Sequence, residues 1–488
     1  MSFRNLALAV LFLSVFFMGL RFSMDTDTWW QLRTGELIAE QGAIPTQDSF
    51  SFTRTGEAWR YPSGAWLSEL QLFEIHAVFG PGGLNIWVAA MVTLTFIFIY
   101  MAMSGPPLLR AFIIVLAATA AGIYWAARPY MLSFVLSAVF LWILEDYRWR
   151  RKNRLVWLLP LMIFWANSHP GFATGFLLLA IYGVDEALRW ALALWHGPRK
   201  EAIKSRQRLG AMLLLVVGMI AATSINPAGP KLLTFPFETV SIGVLQDFIQ
   251  EWQSPNFHIL QAQPFAWLLI LTLGVLGAAG IGLALSDFLL LAVFGFLGLL
   301  AARNIPLFAL VAAIVLSRHA AAWLPSLGKK LAFKKRKTAR PAPWLAWANA
   351  AIVLVLALAA VARAATLYPA EANLDAAKAM LPVGAVDYLK THRPPGNLFN
   401  SYNFGGYLIW HLREYPVYID GRTDLYDDGL LEEWVDTVSA KDGWQDTLDR
   451  WQIRLVLLEP TWQLAKLLEA TEGWRLLYKD EVSVLYGR

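Results

Sequence analysis

Along most of this chain, long apolar runs alternate with short polar breaks, and the runs have the length of membrane helices rather than of core helices. Crossing a bilayer takes roughly 20 mostly apolar residues. About eleven runs approach that length, near residues 5–23, 84–103, 110–126, 130–146, 154–168, 172–191, 209–224, 265–284, 287–302, 305–323 and 344–365. Past residue 365 the pattern changes. Short apolar runs such as Leu455–Leu458 and Val482–Tyr486 alternate with helix-like stretches such as Ala385–His392, and Gly405-Gly406, Gly421 and Gly443 read as turns. The pattern predicts an α-helical polytopic membrane protein of about eleven transmembrane helices over residues 1–365. A small α/β domain follows over residues 366–488, long enough to form its own core.

Basic residues orient the spans. Arg148, Arg150, Arg151, Lys152 and Arg154 form one cluster, and Arg199, Lys200, Lys204, Arg206 and Arg208 a second. Lys329, Lys330, Lys334, Lys335, Arg336, Lys337 and Arg340 form a third. The positive-inside rule puts all three in the cytoplasm, with the N-terminus. The 329–340 cluster then reads as an anchor beside anionic lipid. Outside lie a long first loop (24–83), short loops around Arg128, His169 and Arg303, a longer loop from Asn226 to Pro264, and the C-terminal domain. The run from Leu6 to Leu20 has no convincing small-residue cleavage site, so it reads as an uncleaved first helix. With compact loops and no eukaryotic sorting signal, the expected location is a bacterial inner membrane.

Composition agrees: 57% of residues are hydrophobic and 16% charged, with a mean hydropathy of +0.46. The 23 tryptophans suit a chain with many interfacial crossings. A net charge of +5 does not point to nucleic acid, because the positive residues sit in a few short loops. Without cysteine, disulfides and thiolate metal sites are excluded.

The outer loops hold the chemistry. Asp25-Thr26-Asp27-Thr28-Trp29-Trp30 follows the first apolar run directly. Acidic groups at the mouth of a membrane helix are costly and are functional candidates by default. Asp48, Arg128, Asn167, His169, Glu251 and Arg303 fall on the same side. A carboxylate accepts the proton of an attacking hydroxyl, and arginine forks grip phosphate oxygens. Simpler roles compete residue by residue. Asp25 and Asp27 would cap the helix that Trp29–Ala39 begins; Arg128 and Arg303 would snorkel from span ends. His169, beside Pro170-Gly171, would be an interfacial turn residue, and Glu251-Trp252 the end of a surface helix. Asp25-x-Asp27 with Asp48, His169 or Glu251 also offers hard ligands for magnesium or manganese, at a spacing too generic to assign.

At these residues the chain resembles the GT-C superfamily of membrane glycosyltransferases, which use sugars linked to polyprenyl phosphate. Oligosaccharyltransferases, protein O-mannosyltransferases and aminoarabinose transferases belong to it. The resemblance rests on the acidic motif through Gln31-Leu32 at the outer end of the first span. It extends through the long first loop, with Gly42-Ala43-Ile44-Pro45-Thr46-Gln47-Asp48 and Ala65-Trp66-Leu67-Ser68-Glu69, and through the many spans and C-terminal domain. It implies an inverting sugar transfer on the outer face, with a first-loop aspartate as base. Carried over, Asp27 takes that role with Asp25 as alternate, and Arg128, Arg303 and His169 hold the donor phosphate. Asp48, Trp29, Trp30, Asn167 and Glu251 line the substrate. The implied partners are a polyprenyl-phosphate-linked sugar, membrane lipid and an extracytoplasmic protein, lipid or glycan acceptor. Many members carry a second acid in the second outer loop, whereas here that loop is Ala126-Ala127-Arg128-Pro129-Tyr130. Asn400–Leu408 with Asp420-Gly421-Arg422 looks like the outer domain of related bacterial multispan proteins. There the glycines would serve close approach to a ligand or plain packing turns.

Two other classes fit the same architecture. A transporter or flippase would need ionisable residues near the bilayer midplane, and the spans read as apolar with charges at their ends. A non-catalytic assembly subunit would explain the C-terminal domain while leaving Asp25 and Asp27 as caps.

Overall fold

A computed structural model of the chain describes residues 2–240, 243, 248–330 and 343–488. Most of the third basic cluster, and the middle of the expected 226–264 loop, lie outside those residues. Among them, eight helices are long and apolar enough to cross a membrane: 61–102, 107–124, 130–149, 170–196, 199–223, 260–279, 302–325 and 344–367. Three shorter apolar helices, 4–19, 155–166 and 285–300, accompany them. Every expected span falls on one of these helices, but three are shorter than the apolar thickness a lone helix must cover.

The stretch expected as first loop differs most. It holds an amphipathic helix, Thr28–Gln41, and from Tyr61 a helix that runs on to Ala102. Gly80 interrupts that helix with φ 64° and ψ −168°, just before Pro81. Ser63, Ser68, Glu69, Glu74 and His76 dilute the hydropathy of its first half, so the apolar pattern becomes visible only after the kink.

The helices pack through one large apolar core that includes Phe96, Phe134, Phe140, Trp165, Tyr182, Phe265 and Phe308. Most of the charges lie at helix ends as expected, but Arg318 and Asp185 lie within their helices. Arg318 is paired with both Glu145 and Asp287, and Tyr182 donates to Glu145 at 2.6 Å. Arg148 holds Asp185 at 2.5 Å, and Arg150 and Arg154 hold Asp146, each at 2.8 Å. Each buried acid in this group has a cationic partner, which is what makes it tolerable in a low-dielectric interior.

After residue 367 comes a four-stranded sheet, β1 (Asn397–Asn400), β2 (Ile453–Leu458), β3 (Arg475–Lys479) and β4 (Val484–Gly487), in the order β1-β2-β4-β3. β1 runs parallel to β2, with Phe399 opposite Val456, and β4 is antiparallel to both β2 and β3. Helices Val383–His392, Tyr402–His411 and Asp428–Val438 accompany it. Its core is shared: Trp30, Leu37, Phe50 and Trp59 of the first loop pack in the same cluster as Phe404, Tyr407, Tyr418 and Trp434.

Gly405-Gly406 is not a turn but the middle of the Tyr402–His411 helix. A Cβ on Gly405 would strike the Ile419 carbonyl and Asp420, and one on Gly406 the Thr26 carbonyl. The glycines let this helix lie against both the 419–420 backbone and the acidic motif. Asn85 ties the same region together: its Oδ1 accepts from Ser23 N–H at 2.8 Å, and its Nδ2 donates to the Leu367 carbonyl at 3.0 Å and to Asn373 at 2.8 Å.

Candidate active site

Four separated segments meet at the acidic motif. Asp27 is the N-cap of the Thr28–Gln41 helix, yet its side chain makes no capping hydrogen bond. Its Oδ1 instead accepts from Trp30 Nε1 at 3.1 Å, and its Oδ2 lies 2.6 Å from Arg128 Nη2. Asp25 Oδ1 accepts the Asp27 N–H at 2.9 Å, and its Oδ2 is 3.5 Å from Arg128 Nη1. Glu251, remote in sequence, presents Oε2 to Arg128 Nη1 at 3.3 Å and Oε1 to Arg303 Nη1 at 3.3 Å. The Arg303 guanidinium lies over the Trp252 ring, 4.3 Å from its centre. Backbone ties hold the second loop in place. Ala127 N–H donates to Ser23 Oγ at 2.5 Å, and Thr28 Oγ1 donates to the Ala127 carbonyl at 3.1 Å.

Burial in this crowded pocket, with Asp25 and Glu251 adding repulsion, pushes the Asp27 carboxyl up to about 7 against the pull of Arg128. Burial works against Glu251 as well, but Arg128 and Arg303 prevail and hold it below the usual carboxylate range. His169 is buried near both arginines and is pushed down to about 3, so it is neutral. Its Nδ1 accepts the Gly171 N–H at 2.9 Å and lies 2.8 Å from Ser133 Oγ. With Nδ1 accepting, the ring proton sits on Nε2.

Four residues expected to line a substrate pack into the scaffold. Asp48 is fully buried; Arg422 Nη1 donates to it at 2.5 Å, and Ser51 Oγ, Phe50 N–H and Ser51 N–H complete its shell. Asn167 is saturated: Oδ1 accepts from Trp66 and Asn226, and Nδ2 donates to the Ile163 and Ile225 carbonyls. Trp30 is buried, orients Asp27, and packs edge-on to Trp59 and Tyr61. Trp29 packs against Tyr407 and His411. The residues of the expected site that do come together are Asp25, Asp27, Arg128, Glu251 and Arg303, with His169 behind the arginines.

The C-terminal segment also contributes to the site. Gly421 abuts Asp27, and a Cβ there would collide with Oδ1. Asp424 accepts from the Tyr61 backbone and is pushed up to about 7 by burial despite Arg422. Tyr402 lies close enough to Asp27 and Glu251 that, on top of burial, their charges raise its phenol well above its ordinary value. The Gly-Gly and Asp-Gly-Arg motifs were the available signal, since both are sites of close backbone approach. Replacing Gly421 by Ala is expected to move Asp27 and reduce activity about 10²-fold, the scale of a misplaced catalytic group. Unchanged turnover by a normally expressed Gly421→Ala protein would show that this contact does not hold the carboxylate.

No protein-family model and no curated protein sequence matches the chain. Solved structures do match it in fold. The archaeal oligosaccharyltransferase AglB from Archaeoglobus fulgidus, solved with an inhibitory peptide and a dolichol-phosphate, aligns with a TM-score of 0.52 at 11% identity. That alignment covers 94% of this chain and 70% of AglB. The arabinofuranosyltransferase AftD from mycobacteria aligns with a TM-score of 0.51 at 14% identity, over 100% of this chain and 40% of its own length. ArnT from Cupriavidus metallidurans, solved with undecaprenyl phosphate, matches at 14% identity over 99% of this chain and 97% of its own, with a TM-score of 0.45.

Proposed function

We propose that this protein is an inverting glycosyltransferase that moves a sugar from a polyprenyl-phosphate donor to an acceptor on the extracytoplasmic face of a bacterial inner membrane. The observation that carries this reading is a buried carboxyl tuned to about 7, Asp27, in contact with Arg128. A base near working pH accepts a hydroxyl proton most effectively, and an adjacent guanidinium stabilises the departing phosphate. AglB, whose structure holds a dolichol-phosphate, supplies the analogy for the donor.

The step is a single displacement. The acceptor oxygen attacks the anomeric carbon, and the carbon–oxygen bond to phosphate breaks on the opposite face. The leaving phosphate keeps the bonding electrons and the acceptor proton passes to Asp27. A carboxylate has about four acceptor positions; Trp30 and Arg128 take two at Asp27. Arg303 has one carboxylate partner, Glu251, and turns its remaining N–H groups to the phosphate. Arg303→Gln is expected to weaken polyprenyl-phosphate binding about 10-fold or more, the scale of a lost charge-assisted contact. Native mass spectrometry of purified protein with undecaprenyl phosphate reads this directly, and unchanged occupancy would remove Arg303 from the donor site.

The interior charges bear on the transporter reading, which needs ionisable groups within the spans. Glu145 lies fifteen residues beyond Tyr130 in its helix, about 22 Å along the axis from the site end. It and Asp287 share Arg318 as their ion-pair partner, which supports a brace between helices more than a moving charge.

A further inference from the structure

The three acids at the centre of the site are arranged in a way that bears on its need for a metal. Each uses one oxygen locally and turns the other to the same guanidinium. Asp25 Oδ1 takes the Asp27 N–H, Asp27 Oδ1 takes Trp30 Nε1, and Glu251 Oε1 faces Arg303. The remaining oxygens, Asp25 Oδ2, Asp27 Oδ2 and Glu251 Oε2, lie 3.5, 2.6 and 3.3 Å from the Arg128 nitrogens. These are hard oxygen donors from two distant loops, the kind of set that would suit magnesium or manganese. Their common centre is already taken by a fixed cation.

The other expected metal ligands are committed elsewhere. Asp48 is closed by Arg422 and the 50–51 turn, and His169 Nδ1 accepts from Gly171. A divalent ion entering the ring would face Arg128 at contact distance and Arg303 behind Glu251. The residues present therefore do not fit a resident metal.

We infer that Arg128 is a built-in replacement for a divalent cation: its guanidinium gathers Asp25, Asp27 and Glu251 around one fixed positive charge, the place a metal would take. A guanidinium offers five N–H donors in a planar fork. Three contacts to the acids leave two for an oxygen of the donor phosphate, so one group links the base to the leaving group. The inference builds on the transferase reading for that last role alone. The gathering of the acids stands on the geometry.

The test is a manganese titration of purified full-length protein in detergent, followed by electron paramagnetic resonance of free and bound Mn²⁺ at pH 8. Wild type is expected to show no bound Mn²⁺ that Asp27→Asn or Glu251→Gln removes. Arg128→Ala opens the ring and is expected to gain one site, binding at least 10-fold tighter than any wild-type site and lost on adding Glu251→Gln. Arg128→Lys, which retains a cation, is expected to gain none. A wild-type Mn²⁺ site that Asp27→Asn abolishes would overturn the inference, as would a folded Arg128→Ala protein that gains nothing. Should Arg128→Ala fail to fold, the wild-type titration decides alone. Because the readout is metal binding, a failed transferase assignment would leave these outcomes intact.

Discussion

Asp27→Asn is expected to lower sugar transfer by 10²–10⁴-fold, the range that general bases contribute, while leaving the fold in place. The pH dependence follows from the same residue. Transfer by the wild type should rise with pH through about 7, as Asp27 loses its proton. Stability should move the other way. The folded state keeps this proton up to about 7, whereas the ordinary value is 3.8, so the native protein binds more protons across that interval. Stability from this group is therefore greatest at low pH and falls as pH rises between those values. Removing the charge at Asp27 should then make the protein more heat-resistant at pH 8 while it is inactive, the trade-off expected where an active site stores strain. Asp424 also sits near 7, so Asp424→Asn is the control: it should keep the rise in rate. If Asp424→Asn flattens the profile and Asp27→Asn does not, the base has been misassigned.

Arg422→Leu is expected to be the most destabilising substitution in the C-terminal segment, by about 3–5 kcal/mol, the cost of stranding a buried charge. Arg422 is wholly buried and bridges Asp48 of the first loop to Asp420 of its own segment, at 2.5 and 2.7 Å. It also lies over the Phe50 and Trp59 rings. Losing it leaves two carboxylates in an apolar core and releases the loop that carries Asp27. Combining Arg422→Leu with Asp48→Asn should recover part of the loss, because one stranded charge is removed. Thermal unfolding of the purified variants measures this. A loss under about 1 kcal/mol would mean that water reaches the pair and that the loop is held by other contacts.

The sequence displayed what is local. Each membrane helix carries its own apolar run, so its presence shows without reference to its neighbours. The first half of the Tyr61–Ala102 helix was hidden because polar residues interrupt its apolar run, among them Ser63, Ser68 and Glu69, which are buried against the rest of the protein. Pairing across the chain was not visible. Asp48 and Arg422 are 374 positions apart, and nothing in either neighbourhood announces the partner; Asp48 read as a substrate ligand because an acid in a functional loop usually is one. Gly405-Gly406 looked like a turn because glycine serves turns and close helix contacts alike. Arg318 escaped notice because one arginine barely lowers the hydropathy of a long apolar run. The acidic motif, by contrast, was legible from cost alone, because carboxylates at the mouth of a membrane helix are expensive to hold there without a task; that Arg128 would pair with them was not visible.

The central claim is that Asp27 performs transfer chemistry on a surface sugar. Mass spectrometry of cell-surface glycans, glycolipids and glycoproteins, in a deletion strain complemented with wild type or Asp27→Asn, tests it most directly. The account predicts that wild type restores a sugar missing from the deletion strain, whereas the equally expressed Asp27→Asn protein does not. Full restoration by Asp27→Asn would contradict it.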